Sequence, residues 1–172
     1  MKKILVLGSS GSGKSTVTRK LGELLDVEAI HLDSYFWQPN WTATPPEEWD
    51  EVLRNLLRRD RWVMDGNYPD SLDLRLAYVD AIVFLDLNRL VCLWRCVGRY
   101  LKHRGQNRPE LAPGCYEKID WDFLKWIWNY PRNVKPKVLA VLQDHSNEKQ
   151  VFRLKNNREI ANFLASRKSI QG

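Results

Sequence analysis

One segment constrains the fold of this chain more than any other: Gly8-Ser9-Ser10-Gly11-Ser12-Gly13-Lys14-Ser15, followed by Thr16. It is a complete G-x-x-x-x-G-K-S pattern. It follows residues 3–7, in which Ile4 to Leu7 form a continuous apolar run, and this run predicts a buried β-strand. It precedes residues 14–25, where apolar side chains recur on one face of a predicted helix. A strand, a glycine-rich turn and a helix in this order predict the phosphate-binding loop of a P-loop fold.

The residue types in this segment suit the binding of a polyphosphate. Backbone N–H groups in a tight glycine-rich turn form a cradle for an anion, and side chains at the tightest points would block the approach of that backbone. The positive end of the following helix adds to the attraction. Lys14 supplies a cation for the β- and γ-phosphates, and Ser15 offers a hydroxyl to Mg²⁺. We therefore expect ATP and Mg²⁺ to bind at residues 8–16.

Short apolar runs alternate with helical patterns along the rest of the chain, which predicts an α/β fold with a parallel sheet. The strand candidates are residues 3–7, 27–32, 62–64, 81–85 and 150–154. The helix candidates are residues 14–25, 44–57, 89–104, 120–130, 134–143 and 157–165. Thr44 is the expected N-cap of the second helix, with Glu47 closing a capping box, and Pro131 is expected to end the fourth. No linker divides the chain, so we expect one domain over residues 1–172.

Composition narrows the class of protein. The 172 residues carry 27 Lys and Arg against 21 Asp and Glu, and the formal charge of +6 permits nucleotides, nucleic acid or another polyanion as ligand. No apolar run approaches the roughly 20 residues that a membrane helix needs. The three cysteines cannot all pair within one chain, which fits a reducing compartment. We expect a cytoplasmic protein with no membrane partner, as a monomer or weak homodimer.

Aspartates follow three of the predicted strands: Asp33, Asp65 and Asp86. Ligands of open α/β sheets lie beyond the carboxyl ends of the strands, where a P-loop enzyme needs an acid near Mg²⁺. A kinase can also use a carboxylate beside the acceptor hydroxyl. Each aspartate could equally cap a turn or a helix. We assign the metal to Asp65 together with Ser15, the acceptor side to Asp33, and a capping role to Asp86.

The helix predicted at residues 89–104 has two different faces. One side is apolar and carries Leu90, Trp94, Val97 and Leu101. The nearly opposite side is basic and carries Arg95, Arg99 and Lys102, and further arginines follow at positions 104, 108 and 132. Guanidinium groups can neutralise the charge of a transferring phosphoryl group. We favour that role for Arg95 and Arg99 over a solvated face or a nucleic-acid groove with stacking tryptophans.

Two side-chain clusters in this region have structural interpretations. Trp121, Leu124 and Trp128 share a helix face, and we expect them to pack in the core. A stripe of Cys92, Cys96 and His103, with Cys115 nearby, could form a zinc site in a lid. Buried structural cysteines are the interpretation we favour, because the spacing is not that of a zinc knuckle.

Several stretches resemble adenylate kinase and its nucleotide-kinase relatives: the P-loop, Asp65-Gly66, and Asp86 followed by Arg95 and Arg99. The chain is more similar to a bacterial adenylate-kinase-related group named DNA topology modulation protein (FlaR-type). That similarity rests on His31-Leu32-Asp33, Phe36-Trp37, Asp65-Gly66-Asn67-Tyr68, Leu72-Asp73-Leu74-Arg75 and Phe123-Leu124-Lys125-Trp126-Ile127-Trp128-Asn129.

The resemblance implies a five-stranded parallel sheet, a lid over the nucleotide and ATP·Mg²⁺ as phosphoryl donor. It implies that Arg95 lies against the adenine, that Arg99 contacts phosphates and that Asp65 helps to position Mg²⁺. Within this P-loop NTPase fold, of the nucleotide-kinase-like type with helices on both faces of the sheet, we expect an acceptor-side insertion at about 34–60 and a helical lid at about 99–135.

The sequence departs from adenylate kinase after Gly66. Asn67-Tyr68-Pro69-Asp70 stands where adenylate kinases have an aromatic residue, a proline and an arginine that grips the acceptor's phosphate, and the nearest arginine is Arg75. AMP is therefore disfavoured as the acceptor. We predict a phosphotransferase that uses Lys14, Asp33, Arg95 and Arg99 to pass the γ-phosphate of ATP to a small acceptor bound by Asp33, Tyr35 and Arg75. The alternatives are a nucleotide-dependent protein that acts on DNA and its topology, and a sensor that binds ATP without transfer.

Overall fold

The computed structural model describes residues 1–106 and 110–168, so that Arg108, one of the expected lid arginines, lies outside the described residues. The strands are β1 (Lys3–Gly8), β2 (Glu28–His31), β3 (Trp37–Gln38), β4 (Thr42–Ala43), β5 (Trp62–Asp65), β6 (Ala81–Leu85) and β7 (Gln150–Leu154). The helices are α1 (Lys14–Leu25), α2 (Asp33–Phe36), α3 (Pro46–Arg58), α4 (Leu72–Leu76), α5 (Arg89–His103), α6 (Trp121–Asn133), α7 (Lys135–Asp144) and α8 (Asn157–Lys168).

The five strand candidates form one parallel sheet in the order β2-β5-β1-β6-β7, as the alternating pattern predicts. Strand β1 lies at the centre, between β5 and β6. In this register Val6 of β1 lies beside Asp65 of β5, and Asp65 lies beside His31 of β2. The carboxyl ends of three strands therefore converge at the start of the P-loop.

Helices cover both faces of the sheet, and the apolar side chains of β1 alternate between the two cores that these helices form with it. Leu5 and Leu7 pack with residues of α3, α4 and α7. Ile4 and Val6 pack on the opposite face with residues of α1 and α8. A strand covered on both faces reads as a continuous apolar run, which is why β1 and β6 are conspicuous in the sequence.

Residues 34–60, where we expect an acceptor-side insertion, contain more structure than the single helix predicted there. Helix α2 leads into a hairpin of β3 and β4, whose pairing places Trp37 opposite Ala43. Thr44 does not cap α3, because its hydroxyl donates a 2.6 Å hydrogen bond to the carbonyl oxygen of Phe36 instead. The N-cap of α3 is Pro45, and no side chain caps it. The capping-box prediction was wrong because Thr44 closes the hairpin onto α2.

Two further differences concern α5 and α6. Pro131 lies inside α6, which continues to Asn133 before the chain turns into α7. The apolar side of α5 is exposed to solvent, with Trp94 at 78% and Leu101 at 72%. Trp121 and Trp128 are also exposed, at 70% and 43%, so their predicted core packing was wrong. Within the described residues, the structure contains no helix that is long and apolar enough to cross a membrane.

Candidate active site

The P-loop lies tightly against α5. Gly11 has a φ of +75°, and a methyl group there would overlap the carbonyl oxygen of Cys92 and lie 2.9 Å from Sγ of Cys96. Gly13, which precedes α1, has a φ of +96° and space around its Cα. Both values lie in the left-handed region that favours glycine. The loop thus keeps its shape through backbone conformation at Gly13 and through close packing on α5 at Gly11.

The donors of the P-loop fit a polyphosphate. The Lys14 ammonium donates a 3.0 Å hydrogen bond to the carbonyl oxygen of Ser9. Burial lowers the pKa of Lys14, although the charges of Asp65 and Asp33 oppose that shift. The hydroxyls of Ser9 and Ser12 are buried and have no hydrogen-bond partner among the described residues. A buried cation and unpartnered hydroxyl donors at one turn match the acceptor-only oxygens of a phosphate chain.

Asp65 ends β5 beside the P-loop and is only 2% exposed. Its Oδ2 lies 2.7 Å from Nδ1 of His31, at the end of β2. Burial by itself would lower the pKa of His31, but the hydrogen bond and the charge of Asp65 outweigh it, so that the pKa is raised. The contact with Asp65 therefore favours the charged form of the His31 imidazole. The sequence offered no sign of this contact.

Asp33 opens α2 and accepts a 2.6 Å hydrogen bond from the hydroxyl of Tyr68. Burial, followed by the charge of Asp33 and the hydrogen bond to it, raises the pKa of Tyr68. Tyr68 therefore stays protonated and donates to the carboxylate. Tyr68 lies two residues after Gly66, and this position is the one signal in the sequence for a role at the same edge of the sheet.

Arg95 and Arg99 extend from α5 towards the P-loop. Nη1 of Arg95 donates to the carbonyl oxygen of Ser12 at 3.3 Å, and Nη2 donates to Oδ1 of Asn157 at 2.7 Å. Nε of Arg99 donates to Oε1 of Glu117 at 2.8 Å. The buried Cys92 and Cys96 determine this orientation, because they bring the adjoining side of α5 against the loop. The arginine face therefore looks inward and the apolar face looks outward.

These groups surround one cavity of about 750 Å³. The expected site residues that line it are Ser10, Gly11, Ser12, Gly13, Lys14, Ser15, Thr16, Asp33, Asp65, Arg95 and Arg99. Trp37, Trp41 and Tyr68 also line the cavity, and the sequence did not indicate a place for them in the site. The P-loop and both expected carboxylates thus face a shared space.

Arg75 is placed differently from the expectation that it binds the acceptor. It is 1% exposed, and its guanidinium donates to the carbonyl oxygens of Gly66, Tyr68 and Ser71. Burial lowers its pKa to about 10. Tyr35 also lies away from the cavity lining, near Arg59. We therefore place neither residue in the acceptor site. Tyr35 does not line the cavity, and Arg75 stabilises the loop after β5 from its buried side.

Asp86 and the three cysteines make ion pairs and packing contacts that stabilise the fold. Asp86 pairs with Lys135 at 2.7 Å and with Arg153 at 2.6 Å. Cys92 and Cys96 pack under the P-loop, and burial raises the pKa of Cys92 to about 11. Cys115 belongs to a separate cluster and donates to the carbonyl oxygen of Gln38. No group of three or more potential metal ligands from His, Cys, Asp and Glu occurs in the part of the chain that the structure describes.

Comparisons with known proteins agree with this architecture. No family model matches the chain. The uncharacterized protein YqaC of Bacillus subtilis (strain 168) is 28% identical over 131 residues, which are 75% of this chain and 72% of that protein. Shikimate kinase from Bacteroides thetaiotaomicron superposes with a TM-score of 0.51 at 18% identity, over 99% of this chain and 98% of that chain. The fold is that of the P-loop kinases.

Two other solved structures share it. A suspected kinase from Chloroflexus aurantiacus j-10-fl gives a TM-score of 0.57 at 13% identity, covering 98% of this chain and 97% of that chain. A gluconokinase from Sinorhizobium meliloti 1021 gives a TM-score of 0.50 at 18% identity, covering 99% of this chain and 95% of that chain. At these identities the likeness establishes the fold, and the chemistry must be argued from the site itself.

Proposed function

We propose that this protein is an ATP-dependent phosphotransferase that moves the γ-phosphate of ATP, with Mg²⁺, to the hydroxyl of a small acceptor. The observation that carries the proposal is that one cavity joins the P-loop to Asp33 and Asp65. The charge of Lys14 interacts with the charges of Asp33, Asp65 and Arg99, so Lys14 lies within electrostatic range of all three groups. A protein that only binds Mg·ATP would use one carboxylate, such as Asp65, for the ion, but it would not need a second one, such as Asp33, on the acceptor side.

The chain's own residues divide the chemical work. Lys14, Arg95 and Arg99 would neutralise the phosphate oxygens as charge redistributes in the transition state. Asp33 would accept the proton of the acceptor hydroxyl. The acceptor oxygen then forms a bond to the γ-phosphorus, and the bond from that phosphorus to the β–γ bridging oxygen breaks, so that ADP leaves.

Ser15 and Asp65 are the residues that would hold Mg²⁺. Both line the cavity at the end where β1, β5 and α1 meet. Oxygen donors of this kind suit Mg²⁺, which keeps several waters and uses few protein ligands. When bound, the ion neutralises charge on the β- and γ-phosphates. His31 would orient the Asp65 carboxylate through its 2.7 Å contact.

The decisive experiment compares Lys14→Ala with Lys137→Ala, an exposed lysine of α7 outside the cavity lining. Binding of Mg·ATP is measured by calorimetry, and ADP release is measured with a panel of hydroxylated acceptors. We expect Lys14→Ala to lower acceptor-dependent turnover by about 100-fold or more, because a buried charge on the phosphates is lost. Lys137→Ala should behave as the wild type. Equal nucleotide affinity and turnover in the two variants would contradict the proposal.

The two alternatives give different results in the same assays. A sensor would bind Mg·ATP without releasing ADP in the presence of any acceptor. A nucleic-acid-associated protein would show salt-dependent DNA binding and DNA-stimulated ATP hydrolysis. The geometry favours transfer over a nucleic-acid groove, because Arg95 and Arg99 contact Ser12 and Glu117 inside the cavity.

A further inference from the structure

The cavity is lined by a buried carboxylate to which the proposed phosphotransfer assigns no part. Glu117 lies in the segment between α5 and α6, and its side chain is only 3% exposed. Its Oε1 accepts a 2.8 Å hydrogen bond from Nε of Arg99, which lies 18 residues earlier in the chain. A carboxylate buried beside a phosphate site loses its hydration and repels the phosphates, so its burial is costly unless a cation pairs with it. Arg99 is such a cation.

The backbone of Glu117 is held from two sides. Its N–H donates to the carbonyl oxygen of Gln106 at 3.4 Å, and Glu117 also forms an isolated parallel bridge with Arg104. The carbonyl oxygen of the preceding residue, Tyr116, accepts a 2.9 Å hydrogen bond from Nε1 of Trp41 in the β3–β4 hairpin. These contacts tie Glu117 to the end of α5 on one side and to the hairpin on the other. Its carboxylate therefore extends from a backbone whose position is fixed.

Arg99 lies between this carboxylate and the phosphate loop. Helix α5 packs on the loop at Gly11, and both Arg99 and Lys14 line the cavity. Burial lowers the pKa of Lys14, and the nearby charge of Arg99 adds to that shift. The two cations are therefore within electrostatic range of one another and would act on the same phosphates. The Arg99 side chain is 29% exposed, so a ligand in the cavity can contact it.

The contact with Glu117 uses one edge of the guanidinium. The five N–H donors of this group form a rigid planar fork, and the bond from Nε fixes the plane in which the Nη donors lie. A long side chain loses conformational entropy when it binds a ligand, and a hydrogen bond that already holds it removes part of that cost. The pair with Glu117 thus prepares Arg99 to receive phosphate oxygens.

Two other roles for the pair have different consequences. A pair that only stabilises the fold would change the free energy of unfolding and leave the contribution of Arg99 to nucleotide binding unaltered. A pair that withholds Arg99 from the phosphates would make Arg99 contribute more once the pair is broken. A pair that positions Arg99 would make it contribute less. The sign of the coupling between the two residues therefore separates the three roles.

We propose that Glu117 is a positioning residue, which holds the Arg99 guanidinium in the orientation that meets the phosphates of ATP. The inference rests on the proposed function, in which Arg99 neutralises phosphate oxygens. It adds to that task a residue from outside the phosphate loop and α5. Glu117 acts through Arg99 and does not itself bind the nucleotide.

A double-mutant cycle tests this coupling, with binding of Mg·ATP measured by calorimetry in the absence of any acceptor. Arg99→Ala should weaken binding by about 10-fold in the wild-type background. It should weaken binding by about 3-fold or less in the Glu117→Gln background, because a guanidinium that is no longer held contributes less. Equal effects in the two backgrounds overturn the inference. A larger effect in the Glu117→Gln background also overturns it, because Glu117 would then be withholding Arg99.

Turnover provides the second measurement. Glu117→Gln should lower kcat by about 10-fold and leave the Kd for Mg·ATP within about 3-fold of the wild-type value, because it loosens Arg99 and also removes a charge that repels phosphates. Glu23→Gln is the matched control and should behave as the wild type. Glu23 pairs with Arg19 at the same 2.8 Å distance, but both side chains are exposed on α1 and neither lines the cavity. A wild-type kcat in Glu117→Gln overturns the inference.

The two measurements separate this inference from the proposed function. If the wild type binds Mg·ATP but transfers phosphate to no acceptor, the proposed function fails, and the calorimetric cycle still decides the role of Glu117. If the wild type transfers phosphate and the cycle is additive, the inference fails and the proposed function stands. Absence of Mg·ATP binding by the wild type would contradict both.

Arg99→Lys separates orientation from charge, and it keeps the inference testable if circular dichroism shows that Glu117→Gln does not fold. Lysine retains the positive charge, but its single ammonium lacks the planar fork that binds a carboxylate at one edge and phosphates at another. We expect Arg99→Lys to weaken the binding of Mg·ATP nearly as much as Arg99→Ala does. Wild-type affinity in Arg99→Lys overturns the inference, because the charge alone would then be sufficient.

Discussion

Replacement of Gly11 by alanine tests how the P-loop is packed, and its cost can be worked out in two parts. The left-handed backbone, with a φ of +75°, costs a non-glycine residue about 1–2 kcal/mol. The new methyl group would overlap the carbonyl oxygen of Cys92 and lie 2.9 Å from Sγ of Cys96. Both atoms belong to the buried side of α5, and overpacking of such a site costs about 1–3 kcal/mol. We expect the free energy of unfolding to fall by about 2–5 kcal/mol.

Gly13→Ala provides the control, because Gly13 has a similar backbone conformation without the steric contact. Its φ is +96°, and the nearest heavy atom to a methyl group there would be Nη1 of Arg95, at 3.7 Å. Only the backbone cost of about 1–2 kcal/mol applies. Gly98→Ala is a second control, since Gly98 lies inside α5 and has open space around it, so that alanine should stabilise the helix by roughly 0.5–1 kcal/mol.

The assay is urea denaturation followed by tryptophan fluorescence and far-ultraviolet circular dichroism, with the melting temperature measured in parallel. Gly11→Ala should be about 1–3 kcal/mol less stable than Gly13→Ala, and at this chain length each kcal/mol corresponds to about 2–4 °C in Tm. The motif alone would predict the opposite order, with Gly13→Ala the more damaging substitution, because Gly13 is a required position of G-x-x-x-x-G-K-S and Gly11 is a variable one. Equal stability of the two variants would refute the packing argument.

Three further predictions concern side chains around the site. Arg75→Met should lower stability by about 2–4 kcal/mol, because buried carbonyl oxygens after β5 lose their donor; a urea midpoint like that of the wild type would contradict this. His31→Gln should raise the Mg²⁺ concentration for half-maximal turnover by about 10-fold, with the KM for ATP unchanged, if His31 orients Asp65; an unaltered Mg²⁺ titration would count against that role. The hydrogen bonds of Lys135 and Arg153 outweigh burial and hold the pKa of Asp86 below its usual 3.8. The stability from this carboxylate is therefore present above about pH 4 and lost as pH falls through the lowered pKa. With screening by solvent, Asp86→Asn should lower the free energy of unfolding by about 1 kcal/mol at pH 7, and it should have no effect near pH 2. Urea denaturation of both proteins at several pH values between 7 and 2 would measure this difference.

Local patterns in the sequence were sufficient for the sheet and for the phosphate loop. The apolar run of β1, the glycine-rich turn and the amphipathic α1 are each specified within a few residues, so periodicity and turn chemistry identify them. The strands β5, β6 and β7 were found in the same way, within a residue of their observed bounds. Lys14, Asp33 and Asp65 could be selected because the carboxyl ends of parallel strands must meet at one edge.

Contacts between distant segments decided the rest. A helical wheel separates the two faces of α5, but it does not say which face is buried. Packing of Cys92 and Cys96 under Gly11 turns the arginines inward and leaves Trp94 in solvent. Thr44 satisfies the capping pattern, yet its hydroxyl bonds to Phe36 because the hairpin brings that carbonyl nearer than the helix end. The tertiary structure determined these outcomes, because each depends on a partner that is remote in the chain or in another element.

The features of the candidate site also fall into those set by a local segment and those set by tertiary contacts. The sequence by itself determined the anion cradle, since its backbone conformation and its lysine are properties of one short segment. The tertiary structure alone decided that His31 meets Asp65, that Tyr68 meets Asp33 and that Arg75 is buried under the loop instead of facing the acceptor. Hydrogen bonds between the ends of different strands have no periodic signature in the sequence, because the sheet register that creates them is a property of the whole fold.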